Sequence, residues 1–209
     1  MADFPIRSGI KQENRRRLVA GVGENDSPTS VCGHKADGSS WEDPAYKVWR
    51  AMLLRCYDQK LQEKYPSYVG CSVVPEWHKF SAFKAWYVEQ GSWEGYELDK
   101  DLLVHNNKIY GPDTCTKVPH YLNVAIHDNS SRRGPYPCGV TQAPSGSYVA
   151  RMRVTIDGVA KKINIGCSFK TPEEASAAYI KAKKEYLKQT AYKVGGKAGT
   201  ALLAFANRL

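Results

Sequence analysis

One segment of the sequence, residues 147–156, carries an apolar side chain at every second position. Its apolar set is Tyr148, Ala150, Met152, Val154 and Ile156, and its polar set is Arg151, Arg153 and Thr155. Because successive side chains of a strand point to opposite faces, this pattern is typical of a half-buried β-strand. Asp157-Gly158 follows, a pair favoured in tight hairpin turns. The segment therefore predicts a hairpin with one buried face.

The residues around this hairpin complete a small fold. A short strand is predicted at 137–141, and a third strand at 159–166 with Ile163 and Ile165 inward. Thr171-Pro172-Glu173-Glu174 combines an N-cap, a proline at the first helical position and the glutamate of a capping box. We therefore predict a three-stranded antiparallel sheet packed on one helix that runs to about Leu187.

The helix should leave the outer face of this sheet uncovered. The polar side chains expected on that face are Arg151, Arg153, Thr155, Lys162 and Asn164. The chain has a formal net charge of +9 and a pI of about 9.2, a balance that favours a polyanionic partner. Arginine can bridge guanine O6 and N7, and lysine neutralises phosphate. We expect this face to bind double-stranded DNA; the alternative is a solvated face with ordinary surface charge.

Residues 134–190 resemble the plant ethylene-response-factor (Apetala-type) domain. The resemblance rests on Gly139-Val140, the strand YVARMRV, the turn NIGCSF and the helix start TPEEASAAY. It implies a DNA-binding module with this sheet-and-helix fold. Tyr148 stands where that family usually has tryptophan, and several of its base-reading arginines have no match, so no target sequence is implied.

A second organised stretch runs over residues 97–123. Its spacing predicts a strand from Leu98 to Val104, a turn at Asn106-Asn107, a second strand at Ile109-Tyr110 and a helix after Asp113. Two strands followed by a helix form a ββα unit. Such a unit can carry a small polar site between its ribbon and its helix.

Candidate metal ligands lie in this ββα unit. Asp99 and Asp101 are two residues apart on the first predicted strand, so they should share a face, and Asn123 lies on the helix. Oxygen ligands of this kind suit Mg²⁺ or another divalent cation. The three residues are therefore the predicted metal site.

Residues 97–127 resemble the HNH motif of phage-encoded homing endonucleases. The resemblance implies that Asp99 and Asn123 bind the metal. Lys100 stands where that family has its general-base histidine, and Thr114 stands where it has its middle asparagine, nine residues before Asn123. These positions make Lys100 and Thr114 the candidate catalytic residues that the resemblance supplies.

The lysine changes the expected chemistry. A protonated lysine cannot accept a proton, so DNA cleavage is expected to be absent or slow. His105 is the candidate substitute base, and His120 and His127 are further candidates.

The rest of the chain suggests three regions. Residues 1–42 are predicted to form an extended arm with a basic run at Arg15-Arg16-Arg17, residues 43–130 an HNH-like ββα domain, and residues 134–209 an ethylene-response-factor-like domain with a C-terminal helix. Helices are expected to begin at Asp43-Pro44 and at Pro75-Glu76. The fold class is therefore α+β, with an N-terminal helical part, a ββα unit and the three-stranded sheet.

Other sequence features concern location. No apolar run approaches the roughly 20 residues that a membrane helix needs, and the N-terminus has no signal-peptide h-region. The six cysteines are scattered without a CxxC pair, which favours reduced thiols over a zinc site or disulfides. We expect a cytoplasmic phage protein that acts in the host cell without a membrane partner.

These observations predict a double-stranded DNA-binding protein and leave its chemistry open. One alternative is a metal-dependent endonuclease with an altered HNH site. A second is a non-catalytic DNA-binding regulator. A third is a phage inhibitor whose basic face grips an acidic host protein of DNA processing.

Overall fold

The structure, a computed structural model, describes residues 18–126, 134–156 and 158–209. The basic run at residues 15–17, His127, most of the predicted linker and Asp157 of the hairpin turn lie outside these residues. The described residues form two compact units, one of residues 18–69 and 73–85, the other of residues 70–72 and the described residues from 86 to 209. The domain boundaries suggested by composition stay predictions.

The first unit is mainly helical. Its elements are β1 (Cys32–His34), β2 (Ser40–Glu42), α1 (Pro44–Tyr57), α2 (Gln59–Lys64), 3₁₀ turns at Pro66–Tyr68 and Pro75–His78, and the start of α3 (Phe80–Glu89). α1 begins where predicted, because the Asp43 carboxylate accepts the N–H groups of Ala45 and Tyr46. The helix predicted from Pro75 is divided, since Lys79 takes an extended conformation between the 3₁₀ turn and α3.

Aromatic side chains form the core of the first unit. Trp49 is fully buried, and its indole N–H donates to the carbonyl of Trp77 at 2.7 Å. Its ring lies 5.4 Å from that of Phe80. These aromatic residues therefore serve packing.

The second unit contains most of the sheet structure. A two-residue strand, β3 (Ser72–Val73), lies at the boundary of the units along the chain. The remaining elements are β4 (Tyr96–Asp99), β5 (Ile109–Tyr110), β6 (Thr116–Pro119), α4 (His120–Ile126), β7 (Val140–Gln142), β8 (Tyr148–Ile156), β9 (Val159–Phe169), α5 (Pro172–Val194) and α6 (Gly196–Arg208).

The central ribbon differs from the predicted one. β4 pairs antiparallel with β6, with Tyr96 opposite Pro119 and Asp99 opposite Thr116. The predicted strand to Val104 and the helix after Asp113 are therefore wrong, because β4 ends at Asp99 and α4 begins at His120. Residue 118 precedes a proline and is β-branched, so it disfavours a helix. The chain stays extended through Pro119 for this reason.

The three-stranded sheet agrees with the sequence. β8 lies between β7 and β9, both antiparallel to it, and α5 packs against the sheet. Val140, Ala150 and Ala175 form a buried cluster between sheet and helix. The α+β class and the sheet packed on one helix are thus confirmed.

A helical hairpin links this sheet to the ribbon. α5 extends past the predicted end at Leu187 to Val194, and α6 folds back against it. A Cβ on Gly199 would lie 2.5 Å from the Ala191 carbonyl oxygen, which shows how closely the helices approach. Both helices share one buried apolar cluster with Val118 of β6 and Leu122 of α4. That cluster fixes α4 relative to the sheet within this unit.

None of the helices formed by the described residues is long and apolar enough to cross a bilayer.

Candidate nucleic-acid interface and polar cluster

Asp99 ends strand β4. Its carboxylate is buried, and Oδ1 accepts the backbone N–H groups of Asp101 at 3.0 Å and of Leu102 at 2.7 Å. A carboxylate that bonds to N–H groups two and three residues later stabilises a chain reversal. Asp99 therefore turns the chain out of the ribbon.

Lys100 is held inside the loop that follows. It is 6% exposed, and its ammonium donates to Asp101 Oδ1 at 2.6 Å and to the Asn107 carbonyl at 2.8 Å. The Asn107 amide in turn donates to the carbonyls of Lys100 at 2.9 Å and Ile109 at 2.6 Å. An ammonium that donates to two oxygens has no lone pair for a proton. Lys100 thus holds the loop closed and cannot serve as a base.

The other two predicted catalytic residues lie apart in this loop. The Thr114 hydroxyl donates to the Ile109 carbonyl at 2.7 Å, which braces the turn before β6. His105 is exposed in the same loop. No hydrogen bond in the described part of the chain joins Lys100, His105 and Thr114 to one another.

Cys115 follows Thr114, and its side chain is buried. Burial is the main cause that raises the pKa of its thiol to about 12. The thiol is therefore neutral at physiological pH.

The sequence did not predict the polar cluster that the ribbon and α4 actually form. One carboxylate oxygen of Glu97 lies 2.7 Å from His120 Nδ1, and the other accepts the Asn123 amide N–H at 2.6 Å. Glu97 comes from β4, and the other two residues come from the first turns of α4. A signal was present, because His120 and Asn123 stand at the i, i+3 spacing of one helix face.

The residues predicted to hold a divalent cation make other contacts in this arrangement. Asp99 Oδ1 is committed to backbone N–H groups, and Asp101 Oδ1 to the Lys100 ammonium. Asn123 turns its amide N–H to Glu97, and its Oδ1 is buried with no hydrogen-bond partner among the described residues. Within the same residues, no group of three or more His, Cys, Asp and Glu side chains could hold a metal. The Mg²⁺ site therefore stays a prediction that rests on the residue types and on the resemblance.

The outer face of the sheet carries the predicted basic residues. Arg151, Arg153, Lys162 and Asn164 are exposed, and Thr155 is half-buried. Arg151 lies directly opposite Asn164, and Arg153 lies directly opposite Lys162. The structure thus brings all five predicted residues to one surface, which we call the basic face.

The cations of the basic face have no acidic neighbours in the sheet. Strands β7, β8 and β9 contain no Asp or Glu, and Arg151, Arg153 and Lys162 form no ion pair within the described residues. Like charges directly opposite each other on two strands destabilise a sheet. The Arg153–Lys162 pair therefore has a cost that folding does not explain.

A groove of about 330 Å³ lies between α4, the sheet and α5. Its lining includes His120 and Tyr121 from α4, Arg153 from β8, and Lys183 and Tyr186 from α5. Tyr186 is held in place in this lining, because its hydroxyl accepts the Thr155 backbone N–H at 3.1 Å. The polar cluster and the basic face thus adjoin the same groove.

Comparisons with protein-family models, with curated proteins and with solved structures find no match to this chain.

Proposed function

We propose that this chain is a double-stranded DNA-binding protein of the phage HNH and ethylene-response-factor-like type, and that its basic face contacts the duplex. The proposal places the protein in the cytoplasm of a phage-infected host cell. It rests on the residues of the face and on the two sequence resemblances.

The register of the sheet carries the proposal. Arg153 stands opposite Lys162 on an exposed surface, and strands β8 and β9 contain no Asp or Glu that could neutralise these two cations. A DNA phosphate between two such cations would turn a repulsive pair into an attractive one. Counterion release from the neutralised phosphates would add affinity and make it depend on salt.

Spacing along the strands also suits a duplex. Arg151 and Arg153 are two residues apart, which on a strand spans about 6.7 Å, close to two base-pair steps of about 3.4 Å. Arginine is the usual bidentate partner of guanine, and asparagine that of adenine. We therefore expect Arg151 and Asn164 to read neighbouring bases while Arg153 and Lys162 hold phosphates.

Binding of a labelled duplex over a salt series tests the proposal. We expect the double variant Arg151→Ala/Arg153→Ala to lose about 1–3 kcal/mol of binding free energy through the base contact of Arg151, and to show a shallower salt slope through the lost phosphate contact of Arg153. The matched control is Lys35→Ala/Lys47→Ala, which removes two exposed cations from the first unit. Equal losses in both double variants would mean that net charge, and not the basic face, provides the affinity.

DNA cleavage is a second candidate function, and the position of the polar cluster favours it. Glu97 and His120 are the kinds of side chain that move protons in hydrolysis, and His120 adjoins the groove that Arg153 lines. Plasmid incubation in Mg²⁺ and in EDTA tests it, and it also tests the predicted metal. A chain that binds duplex but never nicks it would be a non-catalytic DNA-binding regulator.

A further inference from the structure

We propose that His120, oriented by Glu97, is the general base for hydrolysis of a DNA phosphodiester bound in the groove between α4 and β8. This inference rests on the proposed function, because the substrate is the duplex held by the basic face. It assigns the base to His120 on helix α4, which the sequence offered only as a further candidate after His105 in the loop that follows β4.

The contact with Glu97 selects the tautomer of His120. An ionised carboxylate only accepts hydrogen bonds, so the nitrogen that lies 2.7 Å from Glu97, Nδ1, must carry the proton. A neutral imidazole has one proton on its nitrogens, so Nε2 keeps its lone pair. The pair therefore presents a base at Nε2.

Two donors hold the Glu97 carboxylate in place. Asn123 donates to Oε2 at 2.6 Å while His120 occupies Oε1. Strand β4 and two successive turns of α4 thus fix the imidazole, as an oriented base requires.

Stability alone does not account for this pair. The side chains of His120 and Glu97 are 67% and 43% exposed. An exposed pair of this kind contributes little to folding, at most about 1 kcal/mol. The exposure does leave His120 open to a substrate in the groove.

The groove surrounds the base with the charges that hydrolysis needs. Arg153 lines it from the sheet and Lys183 from α5, while Tyr121 and Tyr186 complete the wall near the helix. Two cations near one phosphodiester offset the charge that develops on its oxygens during attack. A duplex bound on the basic face brings a phosphate to Arg153, and so to the groove that His120 adjoins.

The proposed step balances without a further reactant. His120 Nε2 takes a proton from water as the water oxygen forms a bond to phosphorus. The bond from phosphorus to the leaving sugar oxygen breaks, its electron pair stays on that oxygen, and solvent protonates it. The products are a phosphate monoester end and a free hydroxyl, and His120 then returns its proton to solvent.

Nicking of supercoiled plasmid with protein in excess tests the inference, with duplex binding measured in parallel. We expect His120→Ala to lower the rate constant at saturating protein by about 10²–10⁴-fold, the usual effect of a lost general base. Half-saturation and duplex affinity should stay unchanged, and added imidazole should restore part of the rate. His34→Ala, which removes an exposed histidine of the first unit, is the matched control and should cut like the parent.

Glu97 acts through His120 and is a positioning residue. Glu97→Gln should lower the same rate constant with no change in half-saturation or in the melting temperature, because the amide lacks the negative charge that favours proton uptake by the imidazole and no longer only accepts at Nδ1. A fall in melting temperature that accounts for the lost rate would assign Glu97 a structural role and overturn its part in the inference.

Three outcomes would overturn the assignment of the base. One is a parent chain that binds duplex but does not nick it in Mg²⁺ or in EDTA, which leaves the proposed function standing. A second is a rate lost in His105→Ala and kept in His120→Ala. The third is a His120→Ala rate that imidazole does not raise. Loss of duplex binding by the parent would instead refute the proposed function itself.

Discussion

The loop after β4 and the outer face of the three-stranded sheet use the same residue types in opposite ways. In the loop, Lys100 is buried and donates to two oxygens of its own chain. On the sheet, Lys162 is exposed and stands opposite another cation. A buried polar group that forms hydrogen bonds within its own chain stabilises the fold. An exposed cation opposite a like charge lowers stability, which points to a binding partner.

The largest expected effect separates the two lysines. Lys100→Ala removes two hydrogen bonds made by a charged group in a buried setting, and at about 1.5–3 kcal/mol for each such bond we expect a net loss of about 3 kcal/mol of unfolding free energy. Urea unfolding measures it. Lys162→Ala should change stability by less than about 0.5 kcal/mol while it weakens duplex binding.

The comparison between loop and sheet is wrong if Lys162→Ala lowers the free energy of unfolding and Lys100→Ala does not. A stable Lys100→Ala chain would mean that water satisfies the Asn107 carbonyl as well as the ammonium does. An unstable Lys162→Ala chain would mean that the basic face takes part in folding.

A second prediction concerns the buried side of the sheet. Gly139 has a φ of +76°, and a Cβ there would meet the Tyr179 ring and the Arg151 carbonyl oxygen. We expect Gly139→Ala to cost about 2 kcal/mol through backbone strain and the clash together. Urea unfolding is again the measurement.

Gly158 in the hairpin turn is the matched control for Gly139. It has a φ of +77° but open space around its Cβ position, so Gly158→Ala should cost about 1 kcal/mol from strain alone. Equal costs at the two glycines would show that Tyr179 moves aside without penalty.

A third prediction reverses a charge on the basic face. Arg153→Glu replaces a repulsive cross-strand pair by an attractive one with Lys162, so the free energy of unfolding should rise by about 0.5 kcal/mol. Duplex affinity should fall in the same variant. If the free energy of unfolding and the duplex affinity both rise in this variant, or both fall, the basic face does not bind DNA at the expense of folding stability.

The smallest expected effect compares two cysteines. Burial raises the pKa of Cys115 to about 12, so its thiol should resist alkylation in the folded chain at pH 8, whereas Cys167 on β9 is exposed and should react. Mass spectrometry after brief iodoacetamide treatment shows which thiol is modified. Rapid modification of Cys115 under native conditions would mean that the loop and ribbon open readily.

The same thiol gives a pH dependence. In the unfolded chain a cysteine ionises near pH 8.5, well below the folded value of about 12. A raised folded pKa contributes stability that is complete below the unfolded pKa and is lost as the pH rises toward the folded one. Unfolding free energy should therefore decrease between about pH 8.5 and 12, and less so in a Cys115→Ser chain.

The sequence by itself determined the three strands of the sheet and the exposed side of Arg151, Arg153 and Lys162. Ile156, which was predicted on the buried face, is 43% exposed. Strand alternation and helix capping depend on neighbours in the chain, so the face of Arg153 and the start of α5 at Pro172 follow from local chemistry. α5 ran longer than expected because α6 buries its last turns, a contact that no local pattern contains.

Only the tertiary structure decided the ribbon and the polar cluster. A short segment such as Leu98–Val104 does not identify its partner strand. The turn at Asp99 depends on a carboxylate that competes with strand pairing. Glu97 meets His120 and Asn123 across 23 and 26 residues of chain. That meeting requires β4 to pair with β6, since the pairing sets the first turn of α4 beside Glu97.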